Sequence, residues 1–172
     1  MKSSRITRIL TGLGLAVALV LLGAGTAGAQ GLPGGSGDGR RVVYSIGQQR
    51  VWWVESDNRV VNTYLVSGRA GTPAYGTYHV YSKSRYTTSL NGAATMEFMV
   101  RFAWGNTAAI GFHSIPINRY GQQLQSESQL GTPQSAGCVR QRWWDAAGLW
   151  DWAPIGTTVV VVFPKGCAES VA

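Results

Sequence analysis

Short runs of β-branched and aromatic residues, separated by polar turns, recur through most of this chain and leave little room for any architecture not built from strands. Arg41-Val42-Val43-Tyr44-Ser45 opens the series. Residues 50–55 and 59–66 then flank Ser56-Asp57-Asn58, and two such runs around a short polar turn read as a hairpin. Further strands are expected over residues 77–82, 96–102 and 108–113, and the run 157–163 reads as a buried closing strand. In the second of these, Phe98, Val100 and Phe102 should face one way and Glu97, Met99 and Arg101 the other. The polar stretch from Ser82 to Ala94 reads as a loop. Helical spacing appears in Trp143, Ala147 and Trp150, with Asp145 in the first turn and Pro154 past the end. The expectation is a mostly β domain with one short helix.

At 172 residues the chain can build one domain with a proper core. Lys2, Arg5 and Arg8 precede an apolar run over residues 9–22, and Ala27-Gly28-Ala29 offers small residues for cleavage, so residues 1–29 read as a secretory signal. An uncleaved anchor is the competing reading. The run approaches the roughly twenty apolar residues of a membrane span only by including Gly23, Gly25 and Thr26, which favours cleavage and no stable span afterwards. Residues 30–40, rich in glycine, read as a flexible linker, 41–164 as the domain and 165–172 as a tail. Removing the leader takes away three of fifteen basic residues, leaving twelve against eight acidic ones, a formal +4. A mildly basic exported protein is drawn to anionic surfaces such as a bacterial envelope polymer. No nucleic acid partner is expected, because the arginines are spread along the chain.

Thr132-Pro133-Gln134-Ser135-Ala136-Gly137-Cys138-Val139-Arg140 places one cysteine among small polar residues just ahead of the expected helix. Amides at a helix start and the Arg140 cation would both lower a thiol pKa. Gly137 leaves a substrate carbonyl unobstructed, and the amides of Gly137 and Cys138 are candidates for an oxyanion pocket. The base would be His113, at a strand end in Ile110-Gly111-Phe112-His113-Ser114-Ile115-Pro116, taking the thiol proton to give thiolate and imidazolium. Ser114 or its carbonyl is the candidate to orient the ring. His79 reads as a partly exposed strand residue. Two other readings stay open: a disulfide between Cys138 and Cys167, and a zinc site from His79, His113, Cys138 and Cys167, whose spacing lacks the close pairs such sites use.

Phe112-His113-Ser114-Ile115-Pro116 followed by Gln129-Leu130-Gly131-Thr132 through Arg140 resembles the YkuD-type L,D-transpeptidase catalytic domain, with its histidine and later Ser/Thr-His-Gly-Cys signature. Val66-Ser67-Gly68-Arg69, Thr72-Pro73, Gly76-Thr77-Tyr78, Asp145-Ala146 and Ala153-Pro154-Ile155-Gly156 extend the likeness over everything after the linker. The resemblance implies a sandwich-like domain in which Cys138 is nucleophile, His113 base and Ser114 its support. It also implies an oxyanion pocket at Gly137 and Cys138, and Arg140 and Ser135 beside the substrate. Peptidoglycan peptide stems would be the substrates and carbapenem β-lactams the inhibitors, with no metal or other cofactor. Two departures stand out. Ala136 occupies the place of a histidine, and the longer interval before Ser135 implies an enlarged loop over residues 118–128. A non-catalytic wall-binding module stapled by Cys138 and Cys167, or a hydrolytic L,D-carboxypeptidase, are the alternatives.

Overall fold

The computed structural model describes residues 31–163. The expected signal sequence, Cys167 and the tail lie outside the described residues. Ten strands form two sheets, with a single α-helix among the described residues. In chain order the strands are β1 (Arg41–Ser45), β2 (Arg50–Val54), β3 (Val60–Leu65), β4 (Gly76–His79), β5 (Ser82–Thr88), β6 (Ala94–Trp104), β7 (Ala109–Ser114), β8 (Ile117–Asn118), β9 (Val139–Gln141) and β10 (Thr158–Val162). Helix α1 (Trp143–Trp152) lies between β9 and β10. The first sheet runs β3-β2-β1-β10-β4; the second runs β5-β6-β7-β9, with β8 on β6.

The expected hairpin is β2–β3. Asn58 takes the left-handed φ of 65° that closes it, a conformation Asn tolerates, and its side-chain oxygen accepts from Gly39 N (3.0 Å) and Arg41 Nη1 (2.7 Å). β10 pairs in parallel with β1, Val42 opposite Val159 and Tyr44 opposite Val161. Its valines are nearly continuous because both faces are covered. Val159 and Val161 enter the main core, while Val160 and Val162 join Val43, Trp52 and Val54 in a smaller cluster against which Leu32 packs. The glycine-rich stretch expected as a linker is thus held to the domain. Arg41, 2% exposed, donates through Nε to Ser36 O (2.7 Å) and through Nη1 to Gly39 O (2.5 Å).

Residues 82–88, expected as loop, form β5 instead. It is an edge strand whose Lys83 and Arg85 discourage further pairing, and its lack of apolar alternation hid it in the sequence. Both side chains also fold over apolar surface: Lys83 Nζ sits 4.5 Å from the Trp150 ring centroid, and the Arg85 guanidinium 3.8 Å from that of Phe98. The buried residues of α1 are Ala146 and Leu149 rather than the expected Trp143 stripe, since Trp143 and Trp144 are exposed. Gly148 explains this: a Cβ there would stand 2.9 Å from the Trp53 ring. Trp53 therefore packs directly on the helix, stacks on Trp152 at 5.6 Å and donates to Tyr64 Oη at 2.9 Å.

β6 carries the main division of the molecule. Val100 and Phe102 enter the core, Phe102 stacking on Phe112 of β7 at 4.7 Å, while Met99 and Arg101 face a cleft on the opposite side. The alternation breaks at Phe98, whose φ is 56°, so that Met96 and Met99 line the same cleft although three positions apart.

Candidate active site

β7 and β9 pair in parallel, with Phe112 opposite Val139 and His113 opposite Arg140. Phe112 and Val139 are fully buried in the core. The next residue on one strand and the preceding residue on the other, His113 and Cys138, both line the cleft, an open cavity of about 1020 Å³. Among the described residues Cys138 has no disulfide partner; its thiol is half-buried, with Sγ 3.6 Å from the Ala109 carbonyl oxygen.

The loop carrying Cys138 is fastened from beneath. Ser135 N donates to Gly68 O (3.0 Å), Ser135 Oγ donates to the Cys138 carbonyl, and Gly137 N donates to Ser135 Oγ (3.1 Å). Gly68 N in turn donates to Gln49 Oε1 (2.5 Å), whose Nε2 bonds Tyr44 Oη (3.3 Å) and Ile46 O (2.7 Å). Gly68 admits no side chain, because a Cβ would lie 2.0 Å from Tyr44 Oη. A buried tyrosine on β1 thus fixes the height of the cysteine loop. Ser135, expected beside the substrate, spends its hydroxyl inside the loop, and the Gly137 amide expected in the oxyanion pocket is bonded to that hydroxyl.

His113 is 3% exposed, and its Nδ1 lies 2.6 Å from the Ser114 carbonyl. A carbonyl only accepts, so Nδ1 carries the proton and Nε2 is left with a lone pair. It is the carbonyl of Ser114, not its hydroxyl, that orients the ring; the hydroxyl accepts from Glu97 N at 3.0 Å. Burial, aided by Arg140 and Arg101, pushes the His113 pKa down to about 4. The imidazole is therefore neutral at pH 7.

The expectation for Cys138 needs correction. Strand β9 and Arg142 separate it from α1, so helix-start amides do not act on the thiol. Burial raises its pKa, opposed by a hydrogen bond from the Gly111 amide and by Arg101 and Arg140. The resting pair is a neutral thiol and a neutral imidazole. The guanidinium groups favour the thiolate and disfavour the imidazolium, so their effects on proton transfer from sulfur to ring oppose each other.

Arg140 sits at the cleft, its Nη1 donating to Gln125 Oε1 (3.1 Å), while its backbone makes a two-way bridge with Ser67 (2.8 and 2.9 Å). Leu124, from the loop expected to be enlarged, lines the cleft beside it. His79 is exposed on β4 in the other sheet, and among the described residues no group of three His, Cys, Asp or Glu side chains could hold a metal.

Residues 39–161 match the family model of the YkuD L,D-transpeptidase catalytic domain. The chain belongs to that family. Among solved structures, the L,D-transpeptidase of Xylanimonas cellulosilytica (residues 123–326) is 26% identical with a TM-score of 0.57, covering 74% of this chain and 62% of that one. The L,D-transpeptidase LdtMt1, solved in complex with imipenem, is 24% identical with a TM-score of 0.58, covering 73% and 60%. The catalytic domain of the E. faecium L,D-transpeptidase, 19% identical with a TM-score of 0.53, is covered completely by 74% of this chain. No curated protein matches the chain. The chain spans about 60% of the length of LdtMt1 and 62% of the Xylanimonas chain.

For this L,D-transpeptidase domain, the sequence reading missed the face of β6. Arg101, Met96 and Met99 line the cleft with His113, and Gly111 is the reason they can: a Cβ there would stand 2.7 Å from Met99 Sδ and 2.6 Å from Val100 O. The available signal was the strand alternation itself, which already set Met99 and Arg101 opposite the core residues.

Proposed function

We propose that this domain is a peptidoglycan L,D-transpeptidase working through Cys138 outside the cytoplasm, in the cell wall or periplasm. Cys138 Sγ attacks the carbonyl of the L,D peptide bond in a tetrapeptide stem as its proton passes to His113 Nε2. Negative charge on the carbonyl oxygen is met by backbone amides beside the sulfur. The Cys138 amide is one candidate, and the Gly137 amide contributes by exchanging Ser135 Oγ for the oxyanion. Collapse breaks the C–N bond, the departing D-alanine nitrogen takes the proton from His113, and the rest of the stem stays on sulfur as a thioester. An amine from a neighbouring stem then attacks the thioester, passing a proton through His113 back to the thiolate. One amide is broken, one is made, and the enzyme returns unchanged. Water in place of the amine would give L,D-carboxypeptidase activity.

The observation that carries this reading is the Cys138 thiol, unbridged among the described residues, in one cleft with a neutral His113 whose Nδ1 is already committed to the Ser114 carbonyl. Arg140 and Ser135 are assigned to substrate binding and to loop support respectively. The likeness to LdtMt1, solved with imipenem, supports carbapenems as inhibitors that acylate Cys138. The test is intact mass after incubation with a carbapenem, with peptide mapping, followed by product analysis on defined muropeptides. Labelling at Cys138, lost in Cys138→Ala, and a new cross-linked product are expected. A folded, reduced protein that takes no label and turns over no stem would refute the assignment.

A further inference from the structure

The cleft beside Cys138 is lined by Arg69, Arg101 and Arg140 and by no aspartate or glutamate. Among the described residues, the ion pairs join Arg40 to Glu55, Arg59 to Asp57, Arg85 to Glu97 and Arg142 to Glu127, and none takes a cleft arginine. The three are held differently. Arg69 Nη1 reaches the Ala136 carbonyl at 3.4 Å and Arg140 Nη1 the Gln125 amide oxygen at 3.1 Å. Arg101 is gripped by hydroxyls of β5: Nη1 by Ser84 Oγ (2.8 Å) and Ser82 Oγ (3.3 Å), Nη2 by Thr87 Oγ1 (3.3 Å). Neutral hydroxyls fix a guanidinium without cancelling its charge, and its planar fork has donors for a carboxylate besides those they occupy.

Position selects Arg101 among the three. It is the cross-strand partner of Gly111, so both side-chain positions project from the same face of the sheet, and the glycine contributes none. The Cys138 thiol bonds the carbonyl of Ala109, two residues before Gly111 on the same strand. The Arg101 charge is felt at both Cys138 and His113. A half-buried, uncompensated cation fixed beside a nucleophile is arranged for an anion that arrives with the substrate.

We propose that Arg101 is a specificity-determining residue that binds the free carboxylate of the departing carboxy-terminal residue, one residue beyond the scissile carbonyl. This rests on the transpeptidase reading above. It makes the domain selective for a stem that ends one residue past the cleaved bond.

Two measurements test the idea on the whole chain. The first compares alkylation of Cys138 by iodoacetate, an anion, and by iodoacetamide, its neutral analogue, read on the Cys138 peptide. In the unsubstituted protein the iodoacetate to iodoacetamide rate ratio should exceed that of Arg101→Gln by about 10- to 100-fold, the size of a charge-assisted hydrogen bond, with Arg101→Lys in between. Equal slowing of both reagents in Arg101→Gln would mean that the residue only tunes the thiol, and would overturn the proposal. The second needs no variant: a donor stem ending in a free carboxylate should exceed its carboxy-terminal amide in kcat/KM by about 10- to 100-fold. Parity between the two donors overturns the proposal. Failure to turn over either donor while the alkylation preference persists removes the transpeptidase reading and leaves the anion site standing.

Discussion

The two sheets are built from similar strands but covered differently. The first is packed on both faces, its inner valines and Tyr44 against the second sheet, its outer Val43, Trp52, Val160 and Val162 in a cluster that Leu32 helps to cover. The second is packed on one face only. Val100, Phe102 and Phe112 enter the core, and the reverse of the same strands presents Met99, Arg101 and His113 to the cleft. Because successive residues alternate between faces, each cleft side chain is positioned by a buried neighbour one residue away. The core residues thus fix the register of the chemistry, and substitutions on the two faces should separate stability from turnover.

Four substitutions or conditions probe that separation, in descending size. His113→Ala should lower acylation of Cys138 by about 10²- to 10⁴-fold, measured by stopped-flow with a carbapenem, without lowering the melting temperature at acid pH. Trp53→Ala should do the reverse. Losing its contacts with Trp152, Tyr64 and α1 costs about 3–5 kcal/mol in urea titrations, while the acylation rate per folded molecule holds. A large rate loss in folded Trp53→Ala would show that the faces are not separable. Acidification should come next. The folded pKa of His113, about 4, lies below its ordinary 6.5, so the unfolded chain takes the proton first. Its contribution, about 3 kcal/mol, is complete above pH 6.5 and fades as pH falls towards 4. His113→Ala should flatten that slope, and an unchanged slope would contradict the buried neutral imidazole. Smallest is Gly68→Ala, where the collision with Tyr44 should cost about 1–3 kcal/mol. Unlike Trp53→Ala it should also slow acylation, because Gly68 supports Ser135; Tyr44→Phe in the same chain should restore part of both.

Much of this division was legible in the sequence. The hairpin around Asn58, the valine-rich closing strand and the order of His113 and Cys138 follow from periodicity, turn residues and motif. What escaped notice was decided by tertiary partners. β5 has no apolar alternation because an edge strand needs none, and β9 is three residues long, held by Phe112-His113-Ser114 alongside it. Overlooking β9 is what set Cys138 directly before a helix in the expectation, and with it the wrong direction for its pKa. The order in residues 31–40 comes from the burial of Arg41, which no local pattern announces.

The parallel pairing of β1 with β10 sets Arg41 beside Thr158, so one of the first strands of the domain and the last are immediate neighbours in the middle of a sheet. A polypeptide emerging amino end first cannot close that seam until nearly all of it has appeared, and such distant pairings make assembly slow. β10 supplies Val159 and Val161 to the same core as Phe112 and Val139, the neighbours of His113 and Cys138, so the sulfur gains its final shelter only once that seam has closed. Thiol-trapping during refolding should therefore capture it readily before the seam closes and much less readily after.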